Sequence, residues 1–162
     1  MYSVSCSIKL KSQSEDIWKV ISSHGNLNFF HPFCKKNKVI DFDKKLIKKD
    51  MLIYLNGVVF ERHFYKWQEM VGYELMIGKK NGKKSKVVWK ISEKKHYSLL
   101  NIDVYPYKTG KINSLLYPFV FFFYIKPMLK TYLSSVLKGL KFYLYNNKNV
   151  VKNQFGKHRW FS

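Results

Sequence analysis

Residues 127–145 read PMLKTYLSSVLKGLKFYLY, and this stretch decides the fold of the chain. With helical spacing its apolar residues fall on one face, while lysines occupy the opposite face. At a rise of about 1.5 Å per residue the stretch makes a rod of roughly 28 Å, which crosses a small domain. The pattern predicts one long amphipathic helix. Its apolar face consists of Leu129, Leu133, Val136, Leu140, Tyr143 and Leu144.

The segments that precede this helix are predicted to be mostly strands. Alternation of apolar and polar residues predicts a first strand over residues 3–11, and residues 14–32 predict two short helices that break at Gly25. Turns at Asn56-Gly57 and Asn81-Gly82 predict hairpins, because both residue types tolerate positive φ. Six further strands are predicted over residues 38–42, 51–55, 58–67, 73–77, 86–92 and 97–105.

Strands that follow one another through hairpins pair antiparallel, and their twist curls a seven-stranded sheet into a cup. The predicted fold class is α+β: a curved seven-stranded antiparallel sheet wrapped around a long C-terminal helix, with two short helices after the first strand. At 162 residues and 46% apolar content, the chain can bury the core of one domain. We assign residues 1–147 to this domain. Residues 148–162 form a basic, aromatic tail that either folds back or docks on a partner.

This order of elements resembles the helix-grip fold of the START, polyketide-cyclase and pollen-allergen (SRPBCC) superfamily. The resemblance covers residues 1–147 and is most specific in SEDIWKVISSHGNLNFFHP at residues 14–32. The stretch NGVVFERHFYKW at residues 56–67 resembles the central hairpin of bacterial members. The resemblance implies that a lipid- or polyketide-like ligand binds in a cavity between the sheet and the C-terminal helix. Only some members of the superfamily are enzymes.

The net charge of +20 suggests an anionic partner, but the scarcity of arginine among the basic residues disfavours nucleic acid as that partner. Arg62 and Arg159 are the two arginines among 30 basic residues, and the rest are lysines. Proteins that recognise phosphates and bases rely on the bidentate fork of arginine. The lysine excess therefore fits either an effect of codon composition or attraction to an anionic membrane surface.

Residues 115–125, LLYPFVFFFYI, form an apolar run ahead of the long helix that departs from the superfamily pattern. A helix that spans a bilayer needs about 20 residues, so this run is suited to dip into a membrane surface. The flanking lysines Lys111 and Lys130 favour an anionic surface. The candidate membrane contacts are Phe119, Phe121, Phe122 and Lys126.

The cysteines and the N-terminus predict the compartment. Cys6 and Cys34 are too few for a disulfide framework, and the N-terminal MYSVSCSIKLK lacks the apolar core of a signal peptide. We therefore expect a cytoplasmic protein that can associate with the membrane periphery. The oligomeric state stays open.

Arg62 is a candidate ligand contact, because the period of two along a strand places it on the same face as Phe60 and Phe64. Inside the cup it can bind a ligand oxygen, or it can pair with an acidic residue of a neighbouring strand such as Glu74. Aromatic residues that are predicted to lie near the cup are further candidates for the cavity wall. The candidate cavity residues are Tyr54, Arg62, Phe64, Trp89, Tyr132, Val136 and Tyr143.

His24 and His31 bracket the two short helices, but no cysteine or carboxylate stands beside them at ligand spacing. We therefore expect no metal and no cofactor, and we expect both histidines at caps or on the surface. No side chain stands in a recognisable nucleophile setting, so no catalytic residue is assigned and a binding protein is favoured. Two alternatives stay open: a cyclase- or aromatase-like enzyme that uses the same cavity, and a lipid-shuttling protein that docks on anionic membranes.

Overall fold

The computed structural model describes residues 2–44, 46–108, 110 and 112–162. Over these residues the chain forms seven strands, two short helices after the first strand, and a long helical segment near the C-terminus. The elements in chain order are β1 (Val4–Leu10), α1 (Ser14–Ser22), α2 (Leu27–Phe30), β2 (Cys34–Asp43), β3 (Leu46–Tyr54), β4 (Val59–Gln68), β5 (Gly72–Gly78), β6 (Lys84–Lys94), β7 (Tyr97–Tyr105), α3 (Tyr117–Val120), a π-helical turn (Phe121–Ile125) and α4 (Lys126–Asn146).

The sheet has the order β1-β7-β6-β5-β4-β3-β2, and every neighbouring pair is antiparallel. Strands β3 to β6 follow one another through tight connections, which include the predicted turns at Asn56-Gly57 and Asn81-Gly82. At the predicted Asn56-Gly57 turn, Gly57 has a φ of 84°, in the left-handed region that glycine tolerates. The predicted α+β helix-grip architecture is confirmed.

The helical segment begins earlier than residue 127, because α3 and the π-helical turn run into α4 without a break. Pro127 has no N–H to donate, so the regular hydrogen-bond ladder is interrupted there and the five residues before α4 take π spacing. Helix α4 ends at Asn146, and Asn147 follows in the left-handed conformation with a φ of 49°.

The buried face of α4 is wider than the predicted apolar stripe. Leu133, Val136 and Leu140 are buried as predicted, but Leu137 is buried as well. Gly139 is also buried, because α2 crosses α4 so closely that a Cβ atom at Gly139 would lie 2.0 Å from the carbonyl oxygen of Phe30. The close crossing fixes the end of α2 against the middle of α4.

The C-terminal tail folds back onto the domain, which decides between the two alternatives that the sequence leaves open. The amide of Val150 donates to the carbonyl of Phe29 at 2.8 Å, and the amide of Asn153 donates to the carbonyl of Pro32 at 2.9 Å. Further along, the ring of Phe161 stacks on Tyr54 with centroids 4.1 Å apart. The tail thereby contributes a side chain to the interior.

Candidate functional site

A cavity of about 200 Å³ lies between the concave face of the sheet and α4. Its walls are mainly apolar, because alternate residues of β3 to β7 point inward and meet one face of α4. The apolar lining includes Leu52, Leu75, Val87, Trp89, Ile102, Val104, Leu129, Leu133, Val136 and Phe161. An apolar cavity of about 150 Å³ is enough to hold benzene, so this one can hold one substituted ring.

The cavity reaches the surface beside the turn between β5 and β6. Lys79, Gly82 and Lys83 of that turn line the cavity and are exposed. Tyr107, which follows β7, lines the same opening and is also exposed. A small molecule can therefore enter without passing through the sheet.

Three polar side chains form a chain of hydrogen bonds on the cavity wall. Nε2 of His31 lies 2.8 Å from the hydroxyl of Tyr132, which lies 3.1 Å from the hydroxyl of Tyr54. Nδ1 of His31 accepts the backbone N–H of Phe33 at 3.2 Å. All three side chains line the cavity.

Burial decides the protonation of this group. Burial, together with the positive charge of Arg62, lowers the pKa of His31 to about 3, so its ring is neutral at pH 7. Because Nδ1 accepts, the neutral ring carries its proton on Nε2 and donates to Tyr132. Burial raises the pKa of Tyr54 and of Tyr132, so both hydroxyls stay protonated.

His31 is the C-cap residue of α2, as the expected capping role predicts, and its backbone N–H donates to the carbonyl of Leu27 at 3.2 Å. Its side chain is buried rather than on the surface, whereas His24 is exposed. His31 turns inward because the α2–α4 crossing holds the end of α2 against the cavity. Among the described residues, no group of three or more His, Cys, Asp or Glu side chains is placed to hold a metal ion.

Arg62 points into the cup as predicted, and only 3% of it is exposed. Its Nε donates to Oδ1 of Asp50 at 2.7 Å, and its Nη2 donates to Oδ2 of the same carboxylate. Nη2 also lies 3.5 Å from Oδ1 of Asn26. Burial opposes the charge on Arg62, but Asp50 outweighs it and the pKa of Arg62 is raised.

Arg62 pairs with an acidic residue of a neighbouring strand, one of the two roles that the sequence leaves open, but this residue is Asp50 and not Glu74. Arg62 and Asp50 stand directly opposite each other in the register of β3 and β4, so the bidentate pair forms between them. Glu74 instead binds Lys66 at 3.1 Å and Lys86 at 2.7 Å. These lysines lower the pKa of Glu74 to about 2.

Two of the seven candidate cavity residues lie elsewhere. Phe64 stacks on Trp67 with centroids 5.0 Å apart, at the end of the sheet that the Trp18 ring of α1 fills. Tyr143 stacks on Phe29, with centroids 5.8 Å apart, beyond the crossing of α2 and α4. The other five line the cavity: Tyr54, Arg62, Trp89, Tyr132 and Val136.

Sequence reasoning does not assign His31 or Phe161 to the cavity, although both line it. Residue 31 stands between an aromatic pair and a proline, a context that a surface histidine shares. Phe161 is the penultimate residue, and no local periodicity predicts where a chain end packs. Only the aromatic content of the tail signals that it buries something.

The Phe-rich segment (residues 115–125) exposes much of its apolar surface. Leu115 is 80% exposed, Phe119 64% and Phe123 79%. Phe122 is half exposed, and Nζ of Lys126 lies 5.2 Å from the centre of its ring. Lys111 lies outside the described residues.

Phe121 is an exception, and its assignment as a membrane contact is wrong. It lies one helical turn after Tyr117 and on the same inner face, where both rings are buried. Its ring packs against Tyr2 with centroids 4.7 Å apart. Within the described residues, no helix combines the length and the apolar character needed to cross a membrane.

Comparisons with known proteins give the fold class. The sequence matches no protein-family model and none of the curated proteins. Solved structures do match, and they show that the chain has the helix-grip fold of START-like proteins. A START superfamily protein from Mycobacterium smegmatis aligns with a TM-score of 0.72 at 15% identity, over 91% of this chain and 100% of that chain.

Two further structures extend the similarity. DynU16, from the dynemicin biosynthetic locus, aligns with a TM-score of 0.68 at 12% identity, over 93% of this chain and 51% of that chain. SA2116 from Staphylococcus aureus, a protein of unknown function, aligns with a TM-score of 0.66 at 15% identity, over 90% of this chain and 96% of that chain. At these identities the similarity is one of fold.

Proposed function

We propose that this protein binds a small apolar or amphipathic molecule in the cavity between the sheet and α4. The observation that carries the proposal is an apolar cavity with a few convergent polar groups, the usual form of a small-molecule site. One structural neighbour is named as a START superfamily protein and another comes from a biosynthetic locus, and both names are compatible with small-molecule binding.

The size of the cavity limits the size of the ligand that it can hold. A volume of about 200 Å³ is below the range of about 300–1,000 Å³ that holds drug-sized ligands. A single ring with a short substituent fits this volume, whereas a sterol or a diacyl lipid needs a wider opening of the sheet against α4. The lipid- or polyketide-like ligand that the fold resemblance implies is therefore narrowed to a one-ring molecule.

Calorimetric titration with ethylbenzene tests the proposal. We expect saturable binding with one site and a Kd below about 1 mM. A Kd of 1 mM corresponds to a binding free energy of about 4 kcal/mol, which serves here as the lower limit for binding in a cavity. Val136→Trp fills the cavity and should abolish binding while the protein stays folded. Lys138→Trp places the same ring on the exposed face of α4 and should leave the Kd unchanged. If a folded Val136→Trp protein binds as the wild type does, the ligand does not sit under α4.

The alternative of a cyclase- or aromatase-like enzyme draws less support from the cavity. A general base works best when its pKa lies near the operating pH. Among the described residues, His31 is the histidine that lines the cavity. Its pKa of about 3 makes it a poor base at neutral pH. Assays of turnover with the molecule that binds most tightly would detect a cyclase- or aromatase-like activity.

A second function, attachment to anionic membranes, is favoured by the exposed rings of the Phe-rich segment. Large exposed apolar patches mark interaction surfaces, and this one belongs to a chain with a net charge of +20. Each lysine near an anionic bilayer contributes about 1 kcal/mol of attraction. The segment runs directly into α4, whose residue Leu129 lines the cavity, so attachment would hold the cavity close to the lipid surface.

Sedimentation with vesicles tests this attachment. We expect binding to phosphatidylcholine vesicles that contain phosphatidylserine, weaker binding at high salt, and little binding to phosphatidylcholine alone. Phe119→Ser/Phe123→Ser should release the protein from the vesicles. Phe42→Ser/Tyr65→Ser is the matched control, because it removes two exposed rings from the sheet. Equal sedimentation of both double variants would exclude the Phe-rich segment as the contact.

A further inference from the structure

We propose that the cavity selects a ligand with a neutral oxygen acceptor, such as the carbonyl group of an aryl ketone. This inference rests on the proposed function and names the chemical class of the ligand. It follows from the hydrogen-bond donors that the cavity wall leaves without acceptors.

The hydrogen-bonded group of His31, Tyr132 and Tyr54 has one more donor proton than it has hydrogen bonds. Nε2–H of His31, the hydroxyl of Tyr132 and the hydroxyl of Tyr54 supply three donors. Two hydrogen bonds join these groups, and the described residues provide no other acceptor for either hydroxyl. Whichever way the two hydroxyls are oriented, one of their protons has no protein acceptor, and both side chains line the cavity.

Arg62 adds a second unused donor. Its Nε and Nη2 are directed at Asp50 and Asn26, but Nη1 has no acceptor among the described residues. Arg62 lines the same cavity and lies close enough to His31 and Tyr132 to affect the pKa of both. Both unused groups are donors, so the complementary ligand group is an acceptor.

The charge balance favours a neutral acceptor over a carboxylate. Asp50 already neutralises Arg62 through two contacts, so a second carboxylate would enter as an uncompensated buried anion. An alcohol or phenol would also need a free lone pair of a tyrosine hydroxyl to accept its own proton, whereas a carbonyl has no such need. A carbonyl oxygen accepts up to two hydrogen bonds and brings no proton.

The experiment compares acetophenone with α-methylstyrene, in which a CH₂ group replaces the carbonyl oxygen at nearly the same shape. Calorimetry gives the Kd of each compound, and each Kd is multiplied by the partition coefficient of that compound from water into cyclohexane, which refers binding to cyclohexane instead of water. On this scale we expect the ketone to bind about tenfold more tightly, the usual effect of satisfying buried donors. The carbonyl stretch of bound acetophenone should shift below its frequency in cyclohexane.

Tyr132→Phe should change that carbonyl frequency, because it removes one of the two hydroxyls that face the ligand. Tyr143→Phe removes a hydroxyl from the same helix outside the cavity and should not change it. If both compounds bind equally on the cyclohexane scale, or the carbonyl frequency equals that in cyclohexane, the inference is wrong and the proposed function stands. If neither compound binds, the proposed function fails and the inference fails with it.

Discussion

Gly139→Ala tests the crossing of α2 and α4, on which the position of His31 depends. An alanine Cβ at this position would lie 2.0 Å from the carbonyl oxygen of Phe30 and 3.3 Å from Cδ of Pro32. The backbone of α2 cannot rotate out of the way as a side chain could. The two helices must therefore move apart, and the ring of His31 moves with α2.

The expected effect has the opposite sign to that of the same substitution in an exposed helix. There, replacing glycine with alanine stabilises by about 1 kcal/mol, because the alanine loses less backbone entropy. Overpacking of a filled interior costs about 1–3 kcal/mol, and here the obstacle is backbone. We expect Gly139→Ala to lower the free energy of unfolding by about 1–3 kcal/mol.

Urea unfolding followed by far-ultraviolet circular dichroism measures this change, with the m-value as a check that unfolding stays two-state. Lys138→Ala, at the neighbouring exposed position, is the control and should stay within about 0.5 kcal/mol of the wild type. A gain in stability of about 1 kcal/mol for Gly139→Ala would show that the helices do not cross this closely.

Three further predictions concern the core, the buried histidine and the tail. Leu140→Ala should cost about 2–5 kcal/mol in urea unfolding, against near neutrality for Lys138→Ala, because Leu140 is fully buried. The pKa of His31 is about 3 in the folded chain, whereas the ordinary value of 6.5 applies to the unfolded chain, so the unfolded state binds the extra proton below pH 6.5. Folding stability should therefore fall from about pH 6.5 towards about pH 3, by at most about 1.4 kcal/mol per pH unit. That slope should shrink in His31→Gln and persist in His24→Gln. Phe161→Ala should enlarge the cavity and favour ligands larger than ethylbenzene in calorimetry, and unchanged ligand selectivity would place the Phe161 ring outside the cavity.

Local periodicity carried most of the fold prediction. Strands alternate with a period of two and helices repeat every 3.6 residues, and both periods follow from backbone geometry within a few residues. The same periods correctly placed Trp89 and Arg62 on the inner face of the sheet and Val136 on the inner face of α4. The turn residues Asn56-Gly57 and Asn81-Gly82 stand between strands that are hydrogen-bonded neighbours.

Partners that belong to other elements could not be read from these periods. A ligand contact and an ion pair with a neighbouring strand are both open for Arg62 from the sequence. The structure shows an ion pair, and the register of β3 and β4 selects Asp50 rather than Glu74 as the partner. Composition does not tell which residues of an aromatic run turn inward, so the sequence predicts the same membrane contact for Phe121 as for its exposed neighbours. The packing of Tyr2 against the segment makes that choice.

The sequence by itself determined the type, order and inner faces of the main elements, since each depends on residues that are neighbours in the chain. Tertiary structure alone decided which side chains from distant parts of the sequence meet at the cavity. The α2–α4 crossing brings His31 to Tyr132 across 101 positions of sequence, and the returning tail brings Phe161 to Tyr54. Such contacts depend on how whole elements pack, because neighbours that are distant in sequence determine which face of a helix or chain end becomes buried.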